Sequence, residues 1–107
     1  MALEIEFAPL SVEELPALAA EKKAEGARFV QLLAVNTEEG IDLVYTFMKG
    51  GVLTNHEIKG VGPDMTVPSI TDQFLAAFVF ENEAHDLFGV SISDIAIDFG
   101  GNFYALS

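Results

Sequence analysis

The side chains able to do chemistry in this 107-residue sequence are two histidines, His56 and His85, several serines and seventeen carboxylates; cysteine is absent. Without Cys there can be no disulfide, no thiolate metal site, no thiolate-held iron–sulfur cluster and no cysteine nucleophile. His56-Glu57 opens like a His-Glu-x-x-His zinc motif, but Gly60 stands where the second His is needed. Glu81 and His85 lie four apart and could share a metal on a helix. A metal site takes three or four ligands, and none is suggested nearby, so an intrahelical Glu–His pair is expected instead. Gly60-Val61-Gly62 lacks the third glycine of a phosphate loop and opens onto Pro63, which reads as a turn. No serine occupies a Gly-x-Ser-x-Gly elbow. The carboxylates are too numerous for a catalytic pair to be chosen from spacing. No catalytic, cofactor-binding or metal-ligating residue is expected.

The composition bounds the rest. Half of the residues are hydrophobic, enough to bury a core, and the length suits a single domain over residues 1–107. Seventeen acidic against five basic side chains give a formal charge of -12. Such a surface repels nucleic-acid phosphates and anionic headgroups, so neither is expected as a direct partner. No apolar run approaches the ~20 residues of a membrane span. The first residues, Met1-Ala2-Leu3-Glu4-Ile5-Glu6, are acidic where a signal peptide would be basic. A soluble, cytoplasmic chain is expected, reaching a membrane only through other proteins.

The elements that must position these groups follow from periodicity. Residues 3–7 alternate apolar and acidic, as an edge strand does. Ser11 and Glu14 form a capping box, and a helix should start near Val12 with a first turn distorted by Pro16 and stop at Gly26. Phe29 to Val35 is apolar almost throughout, which predicts a strand covered on both faces. Thr37 to Gly40 is a turn. Ile41, Leu43, Tyr45 and Phe47 then share one strand face, with Asp42 and Thr46 on the other. Gly50-Gly51 turns into a third strand, Val52 to Lys59, and residues 60–68 read as a loop. Ser69 and Asp72 suggest the N-cap of a second helix running to Phe88, with Gly89 as its left-handed terminator. Its apolar stripe is Phe80, Ala84, Leu87 and Phe88, bordered by Glu81 and Glu83. Val90, Ile92, Ile95, Ile97 and Phe99 suggest a further strand, with Gly100-Gly101 as a turn. The expected class is α+β: a two-layer fold whose mixed or antiparallel sheet holds a three-strand meander, with two helices on one face.

One stretch is more informative. Glu81, Glu83, Asp86, Leu87, Phe88 and Gly89 reproduce the spacing of the 30-kDa subunit family of respiratory NADH dehydrogenase, which reads Glu-Arg-Glu, two variable residues, Asp, two apolar residues and Gly. Val67-Pro68-Ser69-Ile70-Thr71 and Ala76-Ala77 resemble the family's run into that helix, and Glu25-Gly26-Ala27-Arg28-Phe29 its entry to the sheet. Asn82 replaces the family's arginine. The histidine- and arginine-containing stretch of the quinone-reducing members is absent after the motif, and this short form is more similar to the corresponding subunit of energy-converting, membrane-bound nickel–iron hydrogenases.

The resemblance implies a cofactor-free accessory subunit. It would pack against the large subunit, which carries nickel–iron or helps form the quinone site, and against neighbouring peripheral-arm subunits. It would lie on the cytoplasmic side of the membrane, with Glu81, Glu83, Asp86 and Gly89 as motif or interface candidates. Two other readings stand beside it. One is a small stand-alone ligand-binding domain or enzyme with an acidic pocket near Glu81, Glu83 and Asp86. The other is a chaperone or regulatory module recruiting a basic partner.

Overall fold

A computed structural model describes residues 4–93. Strand β1 (Glu4–Pro9) leads through a single 3-10 turn (Val12–Glu14) into helix α1 (Leu15–Ala24). Three ten-residue strands follow, β2 (Arg28–Thr37), β3 (Gly40–Lys49) and β4 (Val52–Val61). The described chain ends with the short strand β5 (Thr66–Pro68), helix α2 (Ala77–Phe88) and the short strand β6 (Ser91–Ser93). The class is α+β, and the principal sheet has the order β1-β4-β3-β2. Its β2-β3-β4 part is the antiparallel meander, and β1 joins the edge parallel to β4, which makes the sheet mixed.

The N-terminal half follows its local signals. The Glu14 carboxylate accepts the Ser11 N–H at 2.9 Å, which holds that carboxyl below its usual range. Pro16 falls in the first turn of α1, where its missing N–H would have had no helical partner. The distortion expected there is the 3-10 turn. The helix ends at Ala24, and Gly26 follows with φ 78°.

Both helices pack on the same face of the sheet. Leu32, Leu43, Tyr45, Phe47 and Ile58 from the strands form one core with Leu15 and Ala19 of α1 and Ala77 and Ala84 of α2. Its centre is aromatic: the Phe29 ring lies 5.7 Å from Phe47 and 5.6 Å from Phe80, both edge-on, and Phe74 lies 5.3 Å from Phe47.

Four expectations need correction or limits. Strand β2 is not covered on both faces: Val30, Leu33 and Val35 are exposed, because both helices lie on the other side. Residues 60–68 are not all loop, since β4 continues to Val61 and Thr66–Pro68 pairs in parallel with Ser91–Ser93. Helix α2 begins at Ala77 rather than after Ser69 or Asp72. Residues 69–76 instead form turns, in which the Ile70 carbonyl accepts from both Gln73 and Phe74. The side chains and N–H groups that would have started a helix there are committed elsewhere, as described below. Finally, the strand and turn expected over Ile95, Ile97, Phe99 and Gly100-Gly101 lie outside the described residues.

Candidate functional site

Helix α2 carries the candidate residues, and its orientation decides what each can do. Ala77, Glu81 and Ala84 are its buried positions, with Phe80 and Phe88 partly buried beside them. At about 100° per residue, this buried face is rotated by about 40° from the stripe read in the sequence. Glu81 therefore sits inside the core at 0% exposure, not at its margin, while Leu87 is turned out and 70% exposed. Small alanines on either side let the helix approach closely enough to enclose the carboxylate.

A buried carboxylate needs donors, and they come from the segment just after β5. The Ser69 hydroxyl donates to Glu81 Oε1 at 2.6 Å, and the Ile70 N–H donates to Oε2 at 2.8 Å. Ser69 is itself held by Thr71, whose hydroxyl lies 2.7 Å away and whose N–H donates to Ser69 Oγ at 3.1 Å. Thus Val67-Pro68-Ser69-Ile70-Thr71 and the helical motif, read separately in the sequence, meet at one carboxylate. This contact also explains the late start of α2, because Ser69 and Ile70 serve Glu81 rather than a helix N-terminus. Burial pushes the Glu81 carboxyl up, the two donors pull it back, and nearby Asp72 adds a smaller upward push. Beside it in the core, the Tyr45 hydroxyl has no hydrogen-bond partner among the described residues, and burial and then the field of Glu81 disfavour its ionisation.

The remaining motif residues point elsewhere. Glu83 and Asp86 are exposed on the far side of the helix. Asn82, in the position of the family's arginine, donates to the Phe78 carbonyl at 2.7 Å within its own helix. Glu81 and His85 do not form the expected intrahelical pair. With Glu81 turned into the core, the His85 Nδ1–H donates instead to the Val90 carbonyl at 3.0 Å. That bond locks the helix exit at Gly89, whose φ of 71° is left-handed, as the sequence predicted. The other histidine, His56, lies half-buried on the inner sheet face, with its ring 6.0 Å from Phe47. Burial, and secondarily Lys22, lower its pKa.

Glu81, Glu83 and Asp86 therefore do not converge. A groove of about 450 Å³ passes the C-terminal end of α2, lined by Phe88, Gly89 and Val90 with the β2–β3 turn and Pro63, and none of the three carboxylates reaches it. Among the described residues no three His, Asp or Glu side chains gather as a metal site. The arrangement is a structural clamp with an acidic outer helix face.

Residues 7–96 match the family described as respiratory-chain NADH dehydrogenase, 30 Kd subunit. The chain belongs to that family. It is thus a subunit of a respiratory complex of the NADH-dehydrogenase kind. No curated protein sequence matches it. Among solved structures it resembles the trypsin-resistant fragment of Nqo5, with a TM-score of 0.70 and 20% identity over 87% of this chain and 81% of that one. It is also similar to a chain of the membrane-bound sulfane sulfur reductase, an archaeal respiratory membrane complex. There the TM-score is 0.71 at 22% identity over 94% of this chain and 65% of that one. At these identities the structural likeness speaks for the fold. Among the described residues no helix is long and apolar enough to cross a membrane.

Proposed function

We propose that the chain is an accessory subunit that docks on the large subunit of its complex and contributes assembly and positioning while electrons pass through its neighbours. The observation that carries this reading is the division of the motif. Its first carboxylate, Glu81, is spent on holding the fold, and Glu83 and Asp86 face outward without forming a pocket. A stand-alone enzyme or ligand-binding domain would need those groups to converge, and they diverge. The absence of Cys supports the same reading, because the chain has no thiolate with which to hold an iron–sulfur cluster. Residues 90–107, which follow the motif, hold no histidine or arginine of the kind the quinone-reducing members carry there, and this favours a large subunit of the nickel–iron type. In that setting the chain lies on the cytoplasmic side, bound to the membrane through its partners.

The test is purification of the tagged chain from native membranes in mild detergent, with the recovered chains identified by mass. The expected result is a stable assembly containing the large subunit and neighbouring peripheral-arm subunits. Recovery of the chain alone, with a small-molecule ligand shifting its thermal midpoint, would favour the stand-alone reading instead.

A further inference from the structure

The sheet has a second face, and it is apolar. Alternation and register place Ile5 and Phe7 of β1, Leu53 of β4, Val44 and Met48 of β3, and Leu33 and Val35 of β2 on the side away from both helices. None of these seven belongs to the core or packs against it. Phe7 is 75% exposed and Ile5 58%, while Leu33 and Val35 at the opposite edge are 49% and 42% exposed. Two buried polar side chains in the middle of this face, Thr46 and Asn55, are hydrogen-bonded within the sheet. The Thr46 hydroxyl donates to Asn55 Oδ1 at 2.7 Å, and the Asn55 side-chain amide donates to the Glu6 carbonyl at 3.2 Å. Gln31 of β2, opposite Thr46, is polar and exposed on the same face.

The charge distribution makes the same distinction. In a chain of formal charge -12, the strand positions on this face carry two carboxylates, Asp42 and Glu57, and two cations, Arg28 and Lys59. Asp42 is engaged by the Gly60 N–H at 3.0 Å, and Glu57 lies 3.7 Å from Lys59. The face is locally balanced, and exposed carboxylates stand at one corner of it, Glu38 and Glu39 in the β2–β3 turn. Three ten-residue strands and the six-residue β1, about 4.8 Å apart with about 3.3 Å per residue, span about 570 Å². That approaches the ~800 Å² that each partner buries in a standard protein interface.

We infer that the outer face of the four-stranded sheet, centred on Leu33, Val44, Met48 and Leu53 and flanked by Phe7, is the surface that docks on the large subunit of the complex. The partner presents an apolar patch with Lys or Arg where it meets the Glu38–Glu39 corner, because an apolar face with an acidic corner is complemented by the reverse arrangement. A second copy of this chain would bring the same formal charge of -12 and is disfavoured by repulsion. The inference rests on the accessory-subunit reading and adds to it the face that is used.

The experiment co-expresses the tagged full-length chain with the large subunit and measures how much large subunit is recovered. Leu33→Asp on β2 and Phe7→Glu on β1 place charge at opposite edges of the face, at positions already exposed. Each should lower recovery at least tenfold and leave the thermal midpoint of the isolated chain unchanged, while Leu33→Met should retain recovery. Unchanged recovery with both charged variants, from a wild type that does recover the subunit, would overturn the face assignment alone. A wild type that recovers no subunit would overturn the accessory reading along with it. A large fall in midpoint for both variants would show that the face is covered within the chain itself. An isolated wild-type dimer dissolved by Leu33→Asp would assign the face to a second copy. Binding to neutral phosphatidylcholine vesicles, abolished by Phe7→Glu, would assign it to lipid. Each of these last three results overturns the inference.

Discussion

On the inner face of the sheet, Phe29 and Phe47 stack edge-on beneath Phe74 and Phe80, and Leu43, Tyr45 and Ile58 are sealed by two helices. On the outer face, Ile5, Phe7, Leu33 and Val35 have comparable hydrophobicity and remain open. Alternation along the same strands generates both sets, so apolar residue type alone does not decide burial. What decides it is that α1 and α2 both pack on one side, drawn there by Leu15, Ala19, Ala77 and Ala84. In the isolated subunit the inner face supplies stability and the outer face supplies almost none. Mutations should separate the two roles cleanly.

The largest effect belongs to the inner face. Phe47 is fully buried and touches rings from β2, β4 and the 69–76 segment. Phe47→Ala should therefore destabilise the isolated chain by about 3–5 kcal/mol, the range for deleting a core aromatic ring. Denaturant unfolding measures it. A loss below about 1 kcal/mol would mean that the aromatic cluster is not the centre of stability and would erase the contrast.

Glu81 sharpens the comparison, because it is a charged group on the side that supplies stability. Glu81→Ala would leave the Ile70 N–H and the Ser69 hydroxyl without their acceptor, at a cost of about 1–3 kcal/mol. Glu81→Gln keeps an acceptor oxygen and should cost less. The pH dependence has a definite sign. Burial raises the Glu81 pKa in the folded state, so the native chain keeps the proton to higher pH than the unfolded chain, whose ordinary value is about 4.3. Between those two values stability falls as pH rises, then levels off. The advantage of wild type over Glu81→Gln should accordingly shrink as pH climbs above about 4. An advantage that grows over that range would contradict the assignment of burial as the dominant influence.

Gly89 is next in size. Its backbone is left-handed, and a Cβ there would meet no neighbouring atom of the described residues within 4 Å. The cost of Gly89→Ala is therefore conformational strain alone, about 1 kcal/mol. A change within error of zero would show that the α2 terminus tolerates the substitution by shifting.

Much of this fold was legible in the sequence. The capping box at Ser11, the stop at Gly26, the meander with its turns and the terminator at Gly89 are encoded over a few residues, where local propensity and sterics decide. The structure departs where tertiary contacts do. Strand β5 could not be read because three residues become a strand only through pairing with Ser91–Ser93. The burial of Glu81 was hidden for a similar reason: a carboxylate beside an apolar stripe reads as a margin residue until donors are found twelve positions earlier, at Ser69. The resemblance pointed to Val67–Thr71 and Glu81 together, but not to the hydrogen bonds that join them. Near-continuous apolarity in β2 also misled, because an exposed apolar face has the same composition as one covered by its own chain.

Leu33 gives the comparison its finest test. It lies on β2 between Leu32 and Ala34, which face the core, and it is 49% exposed on the opposite side. In the isolated chain, Leu33→Ala removes little buried surface and leaves no cavity, so its effect should stay within about 0.5 kcal/mol of zero. Strand propensity pulls weakly the other way, since alanine is the poorer strand former, and β2 is an edge strand where that penalty is small. Leu32→Ala, one residue away and equal in chemistry, should cost about 2–5 kcal/mol because the Leu32 side chain is buried. Measuring the pair in one denaturant series cancels the strand-propensity contribution, which both substitutions share. A difference of more than about 1.5 kcal/mol between them locates stability on the inner face. Equal losses would mean that the outer face already packs against something within the folded chain, and the two-face distinction would fail.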